Sequence, residues 1–211
     1  MKLTQGEKSE RSQAAILQAA LRLFSKQGYR GTSIREIAEA AGLSTGNVYH
    51  HFPDKETLFT TLLGQYFEAI ESPEFPFNKA LAAGAFPDDL EALARATEES
   101  IRTFRPYVAL IYIDVVEFDG THIRKFYAEM SSRFNAFLNR RYPDDALQGK
   151  LAPGIQPNTA LMLASRVFLH YFAVEILFGV PDQFGQGTER TVSEISEILR
   201  KGMLADAARR P

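Results

Sequence analysis

Two short helical segments joined by a glycine turn constrain the fold of this chain more than any other feature. The segment "IREIAEA" follows Ser33, and Glu36 three positions later completes a capping box that starts a helix. Gly42 supplies the backbone freedom that a tight turn needs, and Ser44 is a helix cap for the next segment, "TGNVYHH". Pro53 ends that segment. Two short helices with such a turn between them predict a helix-turn-helix.

The second of these helices has an outer face suited to DNA. Val48 is expected to point into the core, whereas Gly46 would let the backbone approach a surface closely. Asn47 could hydrogen-bond to an adenine edge through both atoms of its amide, and Tyr49 and Lys55 are donors suited to phosphate oxygens. Backbone N–H groups and hydroxyls where the first helix begins could hold another phosphate. The predicted DNA-binding residues are Thr32, Ser33, Ser44, Thr45, Gly46, Asn47, Tyr49, His50, His51 and Lys55.

The adjacent histidines of this helix could instead suggest a metal site. Neighbouring helical positions point about 100° apart, so His50 and His51 cannot hold one ion as an i, i+4 pair can. A phosphate contact or a helix-end hydrogen bond is the preferred interpretation for His51, and Tyr49 could also be only a packing aromatic. We expect neither a metal nor a cofactor.

Composition and charge agree with a DNA-binding head on an intracellular protein. Residues 1–55 hold 8 Lys and Arg against 5 Asp and Glu, whereas the remainder holds 16 against 21. A basic head is a modest hint of a polyanionic partner. The absence of cysteine agrees with a reducing compartment, and the polar first segment leads us to expect no signal peptide. The most apolar stretch, 160–180, is interrupted by Arg166, His170 and Glu175, which favours a buried helix over a membrane span.

Helical periodicity continues to the end of the chain, and no segment alternates as a strand would. The stretch "ESPEFPFNKALAAGAFP", residues 71–87, is rich in proline and indicates a break. The sequence therefore predicts an all-α protein of about nine helices, the last of them spanning 188–210. We expect a DNA-binding domain at 1–53 and a second helical domain at 54–211, connected by a helix at 54–70.

The stretch "FSKQGYRGTSIREIAEAAGLSTGNVYHHFPDKETLF", Phe24 to Phe59, resembles the DNA-binding domain of the TetR family of transcriptional regulators. The resemblance covers roughly a quarter of the chain. It implies a cytoplasmic homodimer that binds operator DNA, usually as a repressor, and is released by a small molecule. It also implies that the domain at 54–211 serves effector binding and dimerisation. One departure concerns Thr45, where family members often carry a basic residue before the glycine of the recognition helix. Base recognition would then depend more on Asn47, Tyr49 and His50.

The family places its effector pocket in the second domain, where aromatic residues are dense. We expect a largely apolar effector such as a fatty acyl compound or its thioester, with an aromatic acid as the second choice; Arg102 or Arg105 could hold an anionic head. The candidate apolar lining is Phe104, Tyr107, Ile111, Tyr112, Phe126, Met130, Phe134, Phe168 and Phe172. The alternative is that these side chains are plain core.

Two acidic residues, Asp114 and Glu117, stand in an otherwise apolar helix. They are expected to pair with Arg102, Arg124 or Arg166, or else to line a pocket. Arg166 and His170, at i, i+4, are more readily a buried or interface pair than an effector clamp.

Dimerisation is expected through the last two long helices, as a four-helix bundle. The candidate interface residues are Phe172, Ile195, Ile198, Leu199 and Met203. No motif of a nucleophile elbow, a phosphate loop or a zinc protease is present, so we expect no enzyme. The main rival function is a helical protein that binds small molecules and whose helix-turn-helix is only structural. A helical enzyme using Asp114 and Glu117 is a more distant third.

Overall fold

A computed structural model describes residues 4–142, 147 and 149–204 of the chain. The described part is built from helices. Their bounds are α1 Gln5–Gln27, α2 Ile34–Ala41, α3 Thr45–His51, α4 Lys55–Glu71, α5 Pro76–Ala82, α6 Ala85–Asp88, α7 Leu90–Thr103, α8 Arg105–Phe118, α9 Arg124–Arg141, α10 Pro157–Ile176 and α11 Thr188–Met203.

The all-α prediction is confirmed, and nine of the eleven described helices, all except α5 and α6, correspond to the nine expected from periodicity. The two additional helices fall at the proline-rich break: α5 lies inside 71–87, and α6 ends at Asp88, just after it. Helix α11 is described to Met203, and residues 205–210 of the predicted last helix lie outside the described residues.

Two compact units make up the molecule, and they differ from the predicted division at residue 53. The first unit comprises Met1–Ala69 and Pro106–Arg124, and the second comprises Ile70–Arg105 and Lys125–Pro211. The first unit therefore keeps most of α4 and all but the first residue of α8, because both pack against the turn that follows α1. Phe59 of α4 and Phe118 of α8 both contact Tyr29, with ring centroids 5.5 and 4.6 Å away.

A small apolar core holds the first unit together. The side chains of Ile16, Phe24, Ile37, Val48 and Phe59 are fully buried. Two of them come from α1 and one each from α2, α3 and α4, so all four helices contribute to this core. The expectation that Val48 points inward is confirmed.

The second unit has a larger continuous core, to which α5, α6, α7, α9, α10 and α11 contribute. Its fully buried side chains include Phe86, Leu90, Leu93, Phe168 and Phe172. Helix α10 is the one described helix long and apolar enough, by length and composition alone, to cross a membrane. Several of its side chains, Phe168 and Phe172 among them, belong to the core, as expected of a buried helix.

Candidate nucleic-acid interface

Local capping, as predicted, fixes the helix-turn-helix. The Ser33 Oγ accepts from the Glu36 N–H at 3.2 Å, and Glu36 Oε2 accepts from the Ser33 N–H at 2.7 Å. Gly42 adopts the left-handed conformation, φ 68° and ψ 31°, and its N–H donates to the carbonyls of the last turn of α2. The Ser44 Oγ then accepts from the Asn47 N–H at 3.2 Å. These bonds place α3 directly after α2 with a defined start.

The outer face of α3 is open to solvent. Thr45, Gly46, Tyr49 and His50 are exposed, and 55% of the Tyr49 surface is accessible. Gly46 has no role in the internal packing, because the nearest atom to a Cβ built there is the Ser44 Oγ at 3.8 Å. An external surface is therefore the better reason for a glycine at this position.

A groove runs between this face and the start of α2. Its lining comes from the turn before α2, from α2 and α3, and from the start of α4: Arg30, Gly31, Thr32, Ser33, Ile34, Arg35, Glu36, Thr45, Tyr49, Pro53, Asp54 and Lys55. Arg30 and Arg35 are exposed cations that sequence reasoning missed. Their position beside the Ser33 capping box was the available signal, because the first turn of a helix is where phosphate oxygens bind.

Two of the predicted phosphate contacts at the start of α2 are corrected by the hydrogen bonds. Thr32 is buried; its hydroxyl donates to the Gly28 carbonyl at 2.8 Å and its N–H donates to the Tyr29 carbonyl at 3.2 Å. The N–H and the hydroxyl of Ser33 both donate to Glu36 Oε2. Neither residue offers its donors to a ligand in this arrangement.

Lys55 is also placed differently from its predicted role. Its Nζ donates to the Tyr29 carbonyl at 2.9 Å and to the Thr32 carbonyl at 2.8 Å. The same ammonium lies 4.2 Å from the centroid of the Tyr29 ring, a cation–π contact. Lys55 therefore ties α4 to the turn before α2, and the predicted phosphate contact is not its principal role.

Asn47 and His51 are only partly accessible. The Asn47 Oδ1 is buried and accepts no hydrogen bond within the described part of the chain, so a contact to adenine through both amide atoms requires the side chain to turn. The ring of His51 lies against His50, with centroids 5.2 Å apart, and against Phe52. Their predicted DNA contacts stay predictions.

The acidic residues of α8 have partners other than the arginines that were expected. Glu117 accepts hydrogen bonds from the backbone N–H groups of Tyr29 and Arg30, at 3.0 and 2.7 Å. Asp114 is fully buried, lies 2.6 Å from His122 Nδ1, and accepts from the Ile123 N–H at 3.3 Å. The expected pairings with Arg102, Arg124 and Arg166 are wrong; Arg102 pairs with Glu98 instead.

The predicted effector-lining residues divide between the two units. Tyr107, Ile111 and Tyr112 belong to the first unit, where the Tyr107 hydroxyl donates to Gln65 at 3.3 Å and its ring stacks on Tyr66. Burial raises the pKa of both Tyr107 and Tyr112, so each phenol is neutral at physiological pH.

The other effector candidates lie in the second unit. Phe168 and Phe172 are plain core, 0% and 1% exposed, which corrects their assignment to a pocket. The rest are accounted for by neighbours within the unit: Phe104 lies against Phe75, Phe134 stacks on Phe77, Phe126 lies under the Arg133 guanidinium, Met130 is half-buried, Arg102 is paired, and Arg105 donates to the Ile176 carbonyl.

Three of the five predicted dimer residues are internal as well. Phe172, Leu199 and Met203 belong to the core of the second unit, so their apolar character does not indicate an interface. Ile195 is partly buried against that core, and Ile198 is 70% exposed. The exposed apolar side chains of this unit that sequence reasoning missed include Leu163, Leu169, Phe178, Val180 and Phe184. Arg166 and His170 are exposed on α10 and form no buried pair.

The model of the family described as "Bacterial regulatory proteins, tetR family" matches residues 16–62, the region of the capped helices. Residues 16–62 therefore resemble the DNA-binding region of that family. The repressor AcnR of Corynebacterium glutamicum is 44% identical over 62 residues, which cover 29% of this chain and 33% of that protein. The repressor KstR2 of Rhodococcus jostii is 28% identical over 132 residues, 62% of each chain. The chain thus spans between a third and two thirds of these relatives' lengths.

Solved TetR-family structures extend the likeness to the whole chain at the level of fold. NalD, the secondary repressor of the MexAB-OprM multidrug efflux pump in Pseudomonas aeruginosa, superposes with a TM-score of 0.62 at 24% identity and covers 95% of this chain and 99% of its own. A structure described as a γ-butyrolactone receptor superposes with a TM-score of 0.56 at 22% identity, covering 96% and 92%. The second unit therefore has the fold of these regulators with little of their sequence.

Proposed function

We propose that this protein is a homodimeric transcriptional repressor of the TetR family that binds operator DNA through α2 and α3 and is released by a small apolar effector. The observation that carries the proposal is the outer face of α3. Gly46 has no internal reason to be glycine, and Thr45, Tyr49 and His50 surround it in the open. Such a face suits a helix that enters the major groove.

The surroundings of α3 supply the phosphate contacts. Arg30 and Arg35 line the groove beside it, and the hydroxyl of Tyr49 is free to reach a backbone oxygen. Ile34 and Arg35 occupy the first turn of α2, where N–H groups point out of the helix. One such head reads few base pairs, so a symmetric dimer on a pseudo-palindromic operator is the expected complex. Its place of action would be the cytoplasm.

The effector is proposed to be an apolar acid or thioester, bound by residues other than the core side chains Phe168 and Phe172. Of the original set, Tyr107, Ile111, Tyr112, Phe104, Phe126, Met130 and Phe134 remain candidates. To release DNA, the effector must bind the DNA-incompetent form more tightly than the DNA-binding form, since equal affinity shifts nothing.

DNA binding is tested by fluorescence anisotropy or gel shift with genomic fragments over a series of salt concentrations. The expected result is sequence-specific binding that weakens steeply with salt, and a footprint with two symmetric halves. Arg35→Gln should reduce the salt slope by about one ion, while the exposed cation Lys8 on α1, outside the groove, serves as the matched control as Lys8→Gln. The absence of specific binding at low salt would reject the proposal in favour of a structural helix-turn-helix.

The effector is sought by mass spectrometry of compounds that co-purify with the protein, followed by titration of acyl thioesters and aromatic acids into the DNA complex. Release by an apolar acid or thioester supports the assignment. Release only by a polar or cationic compound contradicts it.

A further inference from the structure

The turn between α1 and α2, residues 28–32, is held from two sides by opposite charges. Glu117 of α8 accepts from the N–H groups of Tyr29 and Arg30, at 3.0 and 2.7 Å. Lys55 of α4 donates to the carbonyls of Tyr29 and Thr32, at 2.9 and 2.8 Å. One charged side chain therefore binds donors of the turn, and the other binds its acceptors. We call these two residues with the turn 28–32 the turn clamp.

The rest of the turn is fitted to this arrangement. A Cβ on Gly28 would lie 2.8 Å from Glu117 Oε1, and the φ of Gly28 is 82°, so a glycine there admits the carboxylate. Gly31 is equally constrained, since a Cβ there would lie 2.3 Å from the Gln27 carbonyl. The Glu117 side chain is only 15% exposed, so its two hydrogen bonds are shielded from water. Charge-assisted bonds of this kind are stronger than neutral ones.

The helices that carry the two charged residues also contact each other through neighbouring side chains. Phe118, beside Glu117, lies 4.6 Å from the Tyr29 ring and 5.1 Å from the Phe59 ring, centroid to centroid. His122, just after α8, lies with Nδ1 2.6 Å from Asp114 and Nε2 3.3 Å from Glu56. Glu56 is the neighbour of Lys55 at the start of α4. The end of α8 is thus fixed to the start of α4, and both grip the same turn.

We propose that Glu117 and Lys55 are positioning residues for DNA recognition, which set α2 and α3 through the turn 28–32 without contacting DNA themselves. The inference rests on the proposed function. Residue 32 is followed at once by the Ser33 cap of α2, so the carbonyl that Lys55 holds fixes where α2 begins. A change at α8 would reach the start of α2 through the turn 28–32.

Substitution of Glu117 separates positioning from simple electrostatics. On charge alone, Glu117→Gln would strengthen binding to a polyanion, because it removes a negative charge from the head. Loss of the clamp predicts the opposite sign, a weakening of operator affinity of about tenfold or more, since hydrogen bonds to a charged group are lost. Glu39→Gln, an exposed carboxylate on α2, is the matched control and should keep or raise the affinity. Wild-type or tighter binding by Glu117→Gln would overturn the proposal.

Substitution of Lys55 separates positioning from a phosphate contact. In Lys55→Met the affinity should fall while the slope of log K against log salt stays at the wild-type value. A phosphate contact would instead lower that slope by about 0.9. Arg35→Met, in the open part of the groove, is the comparison that should lower the slope. A slope reduced equally in both variants would remove Lys55 from the turn clamp.

A measurement without DNA tests the turn clamp directly. The Tyr29 and Arg30 amides of the free wild-type protein should be protected from hydrogen exchange, and in Glu117→Gln they should exchange about tenfold faster or more. The Gly42 N–H, bonded to the end of α2, is the internal reference. Unprotected amides in the wild type would reject the clamp even if a variant failed to fold. If the wild type binds no specific DNA while these amides are protected, the proposed function fails and the clamp stands.

Discussion

The two units of the molecule are stabilised by different means. In the first unit, the short helices α2 and α3 bury few side chains, and individual polar side chains hold the turns before them: Ser33, Ser44, Lys55 and Glu117. In the second unit, one continuous apolar core joins six helices. The first unit therefore fixes the geometry of its turns with individual polar side chains, whereas the second unit is held mainly by its apolar core. A DNA-reading head needs the former, because base recognition depends on where a few side chains lie.

The largest effect should come from the core of the second unit. Phe172→Ala removes a fully buried ring and should lower the free energy of unfolding by about 3–5 kcal/mol. Chemical denaturation followed by circular dichroism measures it. Val116→Ala, at a side chain of α8 that is 78% exposed, is the control and should change little. A small loss for Phe172→Ala would mean that the second unit tolerates a cavity there, as a ligand pocket would.

How well each unit could be predicted from the sequence depends on how far apart along the chain its stabilising contacts lie. Caps such as Ser33–Glu36 and Ser44–Asn47 join residues three apart, so the spacing alone identified them. The hydrogen bonds of Glu117 join residues that lie 87 and 88 positions apart, and nothing in the local sequence pattern of α8 predicts them. The apolar stripes of α10 and α11 predicted helices correctly. They could not separate core from interface, because Phe172 and Ile198 are equally apolar and only the packing decides which is covered.

The second prediction concerns a buried phenol in the second unit. Burial, together with a hydrogen bond to Glu175 at 2.6 Å, raises the pKa of Tyr171 to about 12. A raised pKa means that the neutral phenol stabilises the fold. This contribution is complete below the unfolded value of about 10 and is lost as the pH rises through about 12.

Between pH 9 and 12 the wild type should therefore lose on the order of 2 kcal/mol of unfolding free energy that Tyr171→Phe does not lose. Urea unfolding at each pH measures the difference between the two proteins. Tyr49→Phe, at the exposed phenol of α3, is the control. Parallel pH profiles for wild type and Tyr171→Phe would show that Tyr171 titrates as an ordinary tyrosine.

The third prediction uses the exposed side of the second unit. Ile198→Lys should raise the dimer dissociation constant by about tenfold or more, which corresponds to about 1.4 kcal/mol, because it places a charge in the proposed interface. Light scattering over a range of concentrations measures the change. Val116→Lys, equally exposed but in the first unit, should leave the dimer intact. An unchanged dimer in Ile198→Lys would place the interface on another surface.

The smallest effect on stability is expected at Gly46. A substitution there separates the requirements of folding from the requirements of DNA binding. A Cβ there would meet only the Ser44 Oγ, at 3.8 Å, so Gly46→Ala should fold normally and gain about 0.5–1 kcal/mol from lower backbone freedom in the unfolded chain. If the α3 backbone approaches DNA closely, the same methyl group should weaken operator binding. Gly31→Ala is the contrasting variant, because its Cβ would lie 2.3 Å from the Gln27 carbonyl and should destabilise the first unit. Thermal unfolding and anisotropy titration of both variants test the pair. A more stable Gly46→Ala protein that binds the operator as tightly as the wild type would show that the open face of α3 is not the surface that meets DNA.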